Sequence, residues 1–366
     1  MIRFAENADI EQLKKLWNIA FPEDGDDFIN FYFSIKNHHK QTLVQECEGK
    51  IVAMLEMIPY KMTYFDELID VYYFSGLNTL PDFQGQGLMK QLIEKSFQIA
   101  FKQKCDCIAL IPQQQSIVNF YKQFDFEQIF EYQENNIHIE QKSFPLEKVV
   151  ENNIVEAYHF FYQQTLNRKF CIQKTMDDFR VIVQDCYLLN GTPFLLRKNG
   201  NIVAMAFCFC ETEGLKIKDI LYVSMDYKQQ LLSAIACFYQ KNALKIIEPH
   251  NNQSENQSFA CGMLRLITIS KLIQSFQKNN PTLLSFSFQD NFIAENNGNC
   301  LVVSGPLGVR LDWDDKTEVV PDIVVNCDRN KIKKDRAYGA PDLVVEVLSP
   351  SNVKHDMVTK LKTLWN

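Results

Sequence analysis

The segment Leu77-Asn78-Thr79-Leu80-Pro81-Asp82-Phe83-Gln84-Gly85-Gln86-Gly87-Leu88-Met89 constrains this chain more than any other. Residues 70–80, rich in Tyr, Val and Phe, read as a strand, and 81–87 as a polar loop carrying two glycines. From Leu88 to about Lys102, the residues Leu88, Leu92, Ile93, Phe97 and Phe101 recur on one face of a helix. A loop that feeds a helix N-terminus presents unpaired N–H groups and the positive end of the helix dipole. That suits a phosphate-type anion, and glycine lets the backbone approach it closely. The string is neither G-x-G-x-x-G nor a Walker A loop, since no Gly-Lys-Ser/Thr follows. On residue types alone, an ordinary strand-to-helix turn explains it equally well.

The flanking sequence predicts an order of elements. Residues 2–5 read as a strand. Asp9 is a candidate N-cap for a helix carrying Ile10, Leu13, Leu16, Trp17 and Ala20, which Pro22 stops. A second helix is expected over 27–36. Strands follow at 42–46 and 50–60, joined by a turn at Glu48-Gly49. After the loop and its helix come a short strand at 107–111, a helix at 116–124, and two strands at 126–130 and 137–139. The order is β-α-α-β-β-β-α-β-α-β-β.

Two strings carry a resemblance. Gln84 to Met89 is similar to the acetyl-coenzyme-A loop of the GNAT N-acetyltransferase family, Gln/Arg-x-x-Gly-x-Gly/Ala, with Met89 where a small residue is usual. The string "QGQGLM" resembles the Eis-like branch of that family. Ser116-Ile117-Val118-Asn119-Phe120-Tyr121-Lys122-Gln123-Phe124-Asp125-Phe126 resembles the family's final helix, with Asp125 where glycine is usual. The resemblance implies an α+β fold, a GNAT mixed sheet flanked by helices, over residues 1–140. It implies acetyl-CoA as cofactor, held by Leu77, Asn78 and Thr79 along a strand, by Gln84, Gly85, Gln86, Gly87, Leu88 and Met89 at the pyrophosphate, and by Ser116. It implies direct attack by a primary amine, small-molecule or peptide, with Tyr121 giving a proton to the leaving thiolate. For Tyr121 the plain alternative is a helix residue packed on the sheet. Glu56, or a water relay, is the candidate general base. Relatives of this type form rings, so an oligomer is compatible with the resemblance.

The Eis-like pattern continues with a second, degenerate GNAT-like domain, to which 150–250 corresponds. Helices are expected at 157–166, 176–183 and 229–241, strands at 194–197, 202–210 and 216–223, and a hairpin around Lys198-Asn199-Gly200. No comparable glycine loop occurs there. Residues 251–258 (NNQSENQS) read as a polar linker. A helix is expected at 262–276, and residues 259–299 resemble the opening of a sterol-carrier-like domain, cut short. Over 300–366 the strings Gly305-Pro306-Leu307-Gly308-Val309-Arg310-Leu311, Val320-Pro321-Asp322-Ile323-Val324-Val325 and Gly339 to Ser351 resemble part of a Uma-type, restriction-endonuclease-like PD-(D/E)xK domain. That resemblance implies Mg²⁺ between Asp322 and Glu346, with Lys360 in place of the family lysine, where Leu348 stands. Two partial domains would then abut near 298–301. Metal-dependent endonuclease activity from this segment, or a non-catalytic acyl-CoA-binding scaffold, are the alternatives to amine acetylation.

Bulk properties narrow the setting. The 366 residues suggest two or three domains. A net charge of −7 argues against a nucleic-acid partner. No apolar run reaches membrane-spanning length, and the N-terminus MIRFAENADIEQ lacks a signal-peptide core, so a cytoplasmic location is expected. The eleven cysteines are scattered, with no pair of CxxC motifs at zinc-site spacing, and read as reduced and mostly buried.

Overall fold

The computed structural model describes residues 1–35, 38–211, 214–250, 257–279 and 292. It also describes the strand residues 301–304, 308–310, 318–319, 323–326, 332–333, 336–338 and 343–345. The chain divides into two compact units, Met1–Arg265 and Leu266–Asn366.

The first unit opens with β1 (Ile2–Phe4), α1 (Ile10–Ala20) and α2 (Gly25–Ile35). Asp9 stands immediately before α1, but its carboxylate does not cap that helix. It accepts the Glu6 N–H at 2.7 Å and pairs with Arg3 at 2.6 Å, closing a 3-10 turn instead. Then come β2 (Thr42–Cys47), β3 (Lys50–Tyr64) and β4 (Glu67–Thr79). β3 and β4 are longer than their sequence suggests, because a tight turn without glycine joins them. Phe65 takes φ +51° there, its ring 4.8 Å from that of Tyr64. The expected Glu48-Gly49 turn is present, both residues at positive φ, as a two-residue hairpin requires.

After α3 (Leu88–Lys102), β5 (Cys107–Leu110) and α4 (Val118–Lys122) comes β6 (Glu127–His138). This one continuous strand replaces the two predicted at 126–130 and 137–139. Its polar middle disguises it, but strands pair with it on both sides, and Glu134 meets Lys245 at 2.6 Å. The chain continues through β7 (Leu146–Lys148), α5 (Ile154–Leu166), β8 (Ile172–Gln173), α6 (Met176–Leu188), β9 (Gly191–Lys198), β10 (Asn201–Glu211), β11 (Gly214–Tyr222), α7 (Met225–Tyr239), β12 (Ala243–Pro249) and β13 (Ser258–Leu266).

These strands form one mixed sheet in the order β1-β2-β3-β4-β5-β13-β6-β12-β11-β10-β9-β7, with β8 pairing to β3. The halves echo each other. β4, α3 and β5 form a parallel crossover, and so do β11, α7 and β12. The sequence places a helix over 262–276. The structure instead has the strand β13, then α8 (Ser270–Asn279). The reason is topological: β13 fills the gap between β5 and β6, which would otherwise expose two unpaired edges. Gly262 permits the fit, since a Cβ there would lie 3.0 Å from Phe130 and 3.3 Å from the Leu110 carbonyl.

In the first half, α1 and α2 bury Leu13, Leu16, Trp17, Ile29 and Phe33 against Val44, Val52 and Met54. In the second, α5 and α6 cover one face of the sheet and α7 the other.

The second unit carries β14 (Leu301–Ser304), β15 (Gly308–Arg310), β16 (Glu318–Val319), β17 (Ile323–Asn326), β18 (Ile332–Lys333), β19 (Arg336–Tyr338) and β20 (Leu343–Val345). They form sheets β14-β17-β20 and β16-β15-β19-β18. No helix among the described residues is long and apolar enough to cross a membrane.

Candidate functional site

A cleft of about 810 Å³ opens where β4 ends and α3 begins. Three local features build it. First, β4 carries a bulge against β3: the register passes from Ser75 opposite Glu56 to Asn78 opposite Met54. Gly76 makes the bulge at φ +59°, and the Trp17 ring lies 2.6 Å from where a Cβ would stand, so only glycine fits. The indole is fixed by its hydrogen bond to Asp24 at 2.7 Å.

Second, β4 and β5 part company. They pair only over Val71–Tyr73 against Cys107–Ala109, and beyond Tyr73 the register ends. The β5-facing edge of residues 74–79 can therefore pair with an extended amide-bearing ligand.

Third, Gly85 and Gly87 adopt φ +73° and +74°, and Gly87 is the N-cap of α3 without any side-chain cap. The first turn of α3 contains no acidic residue and does contain Lys90, which faces the cleft. Bare N–H groups, the helix dipole and a lysine together make an anion site. The second half shows the contrast. There β11 passes to α7 through Val223 and Ser224, and the Ser224 hydroxyl accepts the Tyr227 N–H at 3.4 Å. That N-terminus is capped by its own chain.

Leu77, Asn78, Thr79, Gln84, Gly85, Gly87, Leu88, Met89 and Tyr121 all line the cleft. Gln84 ties the loop back to the strand, donating to the Thr79 carbonyl at 3.1 Å. Gln86 and Ser116 do not line it. Both are exposed, with Gln86 donating to the Asp82 carbonyl at 3.4 Å and Ser116 in a 3-10 turn leading into α4. Leu16, Phe21 and Phe120 also line the cleft; Phe120 belongs to the string likened to the family's final helix, and no motif marked Leu16 or Phe21.

Tyr121 is buried on α4, edge-on to Phe120 and Phe126 at 5.4 and 5.9 Å. Burial, with a smaller contribution from nearby Tyr73, pushes its hydroxyl up to about 12. It is therefore protonated throughout the neutral range, as an acid must be. Asp125 stands in the left-handed region at φ +58°, a conformation that Asp tolerates better than most residues, and its carboxylate faces the buried Arg265 at 3.7 Å.

On the sheet face carrying α2, a second group of side chains assembles around Glu56, the candidate base; its partners Tyr32, Tyr60, Tyr73 and Asp178 carried no sequence signal. Glu56 is fully buried on β3 and accepts the Tyr32 hydroxyl at 2.9 Å. The Tyr60 hydroxyl donates to Asp178 at 2.6 Å. Burial, then the Asp178 charge, raises the Tyr60 hydroxyl, and burial pushes Tyr73 up to about 12. Asp178 is held in place by the Thr175 N–H and hydroxyl at 2.7 and 2.6 Å, the capping box of α6. Tyr60 and Asp178 are 118 residues apart, beyond any local pattern.

Among the described residues, no group of three or more His, Cys, Asp or Glu side chains could hold a metal. Asp322, Glu346, Leu348 and Lys360 lie outside the described residues. The chain neighbours Ile323 and Val345 are register partners in the antiparallel pair β17–β20. Nine described cysteines are free thiols, with Cys105, Cys107, Cys186 and Cys208 buried.

A mixed sheet with splayed parallel strands and an uncapped helix N-terminus at the splay has the architecture of the GNAT fold. Residues 1–129 match the family model of the acetyltransferase (GNAT) domain. Residues 271–363 match that of the Uma2 restriction-endonuclease-like domain, which begins within the stretch likened to a sterol carrier. No curated protein matches the chain. Solved structures similar to it include a GCN5-related N-acetyltransferase from Anabaena variabilis ATCC 29413, at 17% identity over 82% of each chain and TM-score 0.65. Another is a conserved protein of unknown function from Enterococcus faecalis V583, described as a probable N-acyltransferase. It shows 12% identity over 95% of this chain and 85% of that one, with TM-score 0.61. Eis1 from Mycobacterium abscessus shows 11% over 73% and 74%, with TM-score 0.58. At these identities the likeness concerns the fold. The chain thus joins a segment that matches the GNAT acetyltransferase domain, residues 1–129, to one that matches the Uma2 domain, residues 271–363.

Proposed function

We propose that the first unit transfers an acetyl group from acetyl-CoA to a primary amine. The observation that carries this reading is the convergence, in one cleft, of the bare N-terminus of α3, the open edge of β4 and the protonated Tyr121. Gly85, Gly87 and the first N–H groups of α3 would take the pyrophosphate, and residues 77–79 the pantetheine amides. The thioester would then reach the apex of the splay, near Tyr73 and Tyr121. The amine nitrogen attacks the carbonyl carbon, the C–N bond forms, the C–S bond breaks, and Tyr121 gives its proton to the departing sulfur. The α2-side cluster, with Glu56 as the base, would receive the proton that the amine loses.

Calorimetry of the full chain with acetyl-CoA tests donor binding, and a thiol-release screen over small amines and peptides tests transfer. Absence of binding at high micromolar acetyl-CoA would defeat the proposal. Glu56→Gln keeps an acceptor for the Tyr32 hydroxyl, so the fold should persist while kcat falls about tenfold or more. An unchanged kcat would remove Glu56 from the chemistry.

A further inference from the structure

A primary amine of the chain itself lies beside the apex of the splay. The Lys174 Nζ lies 4.3 Å from the centre of the Tyr60 ring and 5.2 Å from that of Tyr73. Tyr73 is the last residue of β4 paired with β5, opposite Ala109, so its ring marks the point where the strands separate. Tyr121 is close enough to Tyr73 that a charge on one disfavours a charge on the other. Two rings thus cradle a primary amine beside the opening through which a thioester would be presented. The segment that delivers it is anchored twice: β8 pairs Ile172 and Gln173 with Met62 and Lys61, and the capping box begins at Thr175. Lys174 is half-buried and also borders a separate cavity of about 320 Å³.

We infer that Lys174 is an acetyl acceptor in cis, a self-modification site of this chain. The inference rests on the acetyl transfer proposed above. The Lys174 ammonium first loses a proton to water. The neutral amine then attacks the thioester carbonyl carbon, the C–N bond forms, and the C–S bond breaks with its electron pair going to sulfur. Tyr121 protonates the sulfur, the second proton lost from nitrogen passes to Glu56, and exchange with solvent returns it to Tyr121. The products are Nε-acetyl-lysine, coenzyme A thiol and one proton. Acetylation removes the charge that the two rings hold, so it also changes what the cluster can bind next. Holding the amine beside the splay replaces a bimolecular encounter by an intramolecular one.

The test incubates the full-length protein with acetyl-CoA and no added amine, followed by intact-mass measurement and peptide mapping. The expected result is a single added acetyl group, mapped to Lys174, formed at a rate independent of protein concentration. Lys174→Arg, which keeps the cation over the rings, should lose it. Tyr121→Phe should slow it about a hundredfold. If acetyl-CoA binds by calorimetry but Lys174 stays unmodified, the self-modification is overturned and the donor reading stands. Equal labelling of Tyr121→Phe would mark plain chemical acetylation and overturn it as well. If acetyl-CoA does not bind, both readings fall.

Discussion

Tyr121 can serve as an acid because its surroundings keep the proton on it. Burial among Phe120 and Phe126, then Tyr73, pushes the hydroxyl up to about 12, so the acid form is present below that value and lost only as pH rises through it. The rate dependent on Tyr121 should therefore show no alkaline decline from this group between pH 7 and 10. A limb centred near 10 in a pH–kcat profile would contradict the assignment. Tyr121→Phe should lower kcat about a hundredfold while the Kd for acetyl-CoA stays within about twofold, since the phenyl ring keeps the packing. Gly76 acts at the same scale through sterics. Gly76→Ala would place a Cβ 2.6 Å from Trp17 at φ +59°, so urea unfolding should show a loss of about 2 kcal/mol or more. Acetyl-CoA affinity should fall with it, because the bulge orients residues 77–79.

Among the elements, α3 and α7 make a natural comparison, since each follows a strand and precedes a parallel partner. α3 begins at an uncapped Gly87 after a glycine loop, whereas α7 begins at a capping Ser224 after a two-residue connection. Gly87→Ala meets no atom within 4 Å, so its cost is conformational, about 1 kcal/mol, and its main effect should be a several-fold rise in the acetyl-CoA Kd. Ser224→Ala should cost a similar amount of stability and leave acetyl-CoA binding unchanged in the same titration. These elements were legible because their signals are local. Glycine sets both predicted hairpins, with Asn199 and Gly200 at φ +50° and +83°, and apolar residues recur along α1 and α3. The turn at Phe65 was not legible, since no glycine announces it. Nor was β6, whose polar middle is satisfied by neighbours distant in sequence.

For the whole molecule, β13 is the decisive strand. It closes the sheet between β5 and β6 only after the chain has built the entire second half. A fragment ending at residue 250 would leave those two edges bare and should aggregate, while one ending at residue 269 should bind acetyl-CoA with a Kd within about threefold of the full chain. Gel filtration and calorimetry of the two fragments check this. The amino-acid sequence alone determined the loop, the helix behind it and the tyrosine, because an anion site at a helix N-terminus needs particular residues at adjacent positions. Only the tertiary structure decided that Glu56, Tyr60, Tyr73, Lys174 and Asp178 meet at the splay, and that Ser258–Leu266 is a strand. Those outcomes depend on which distant edges and faces come together, and no short-range periodicity records that.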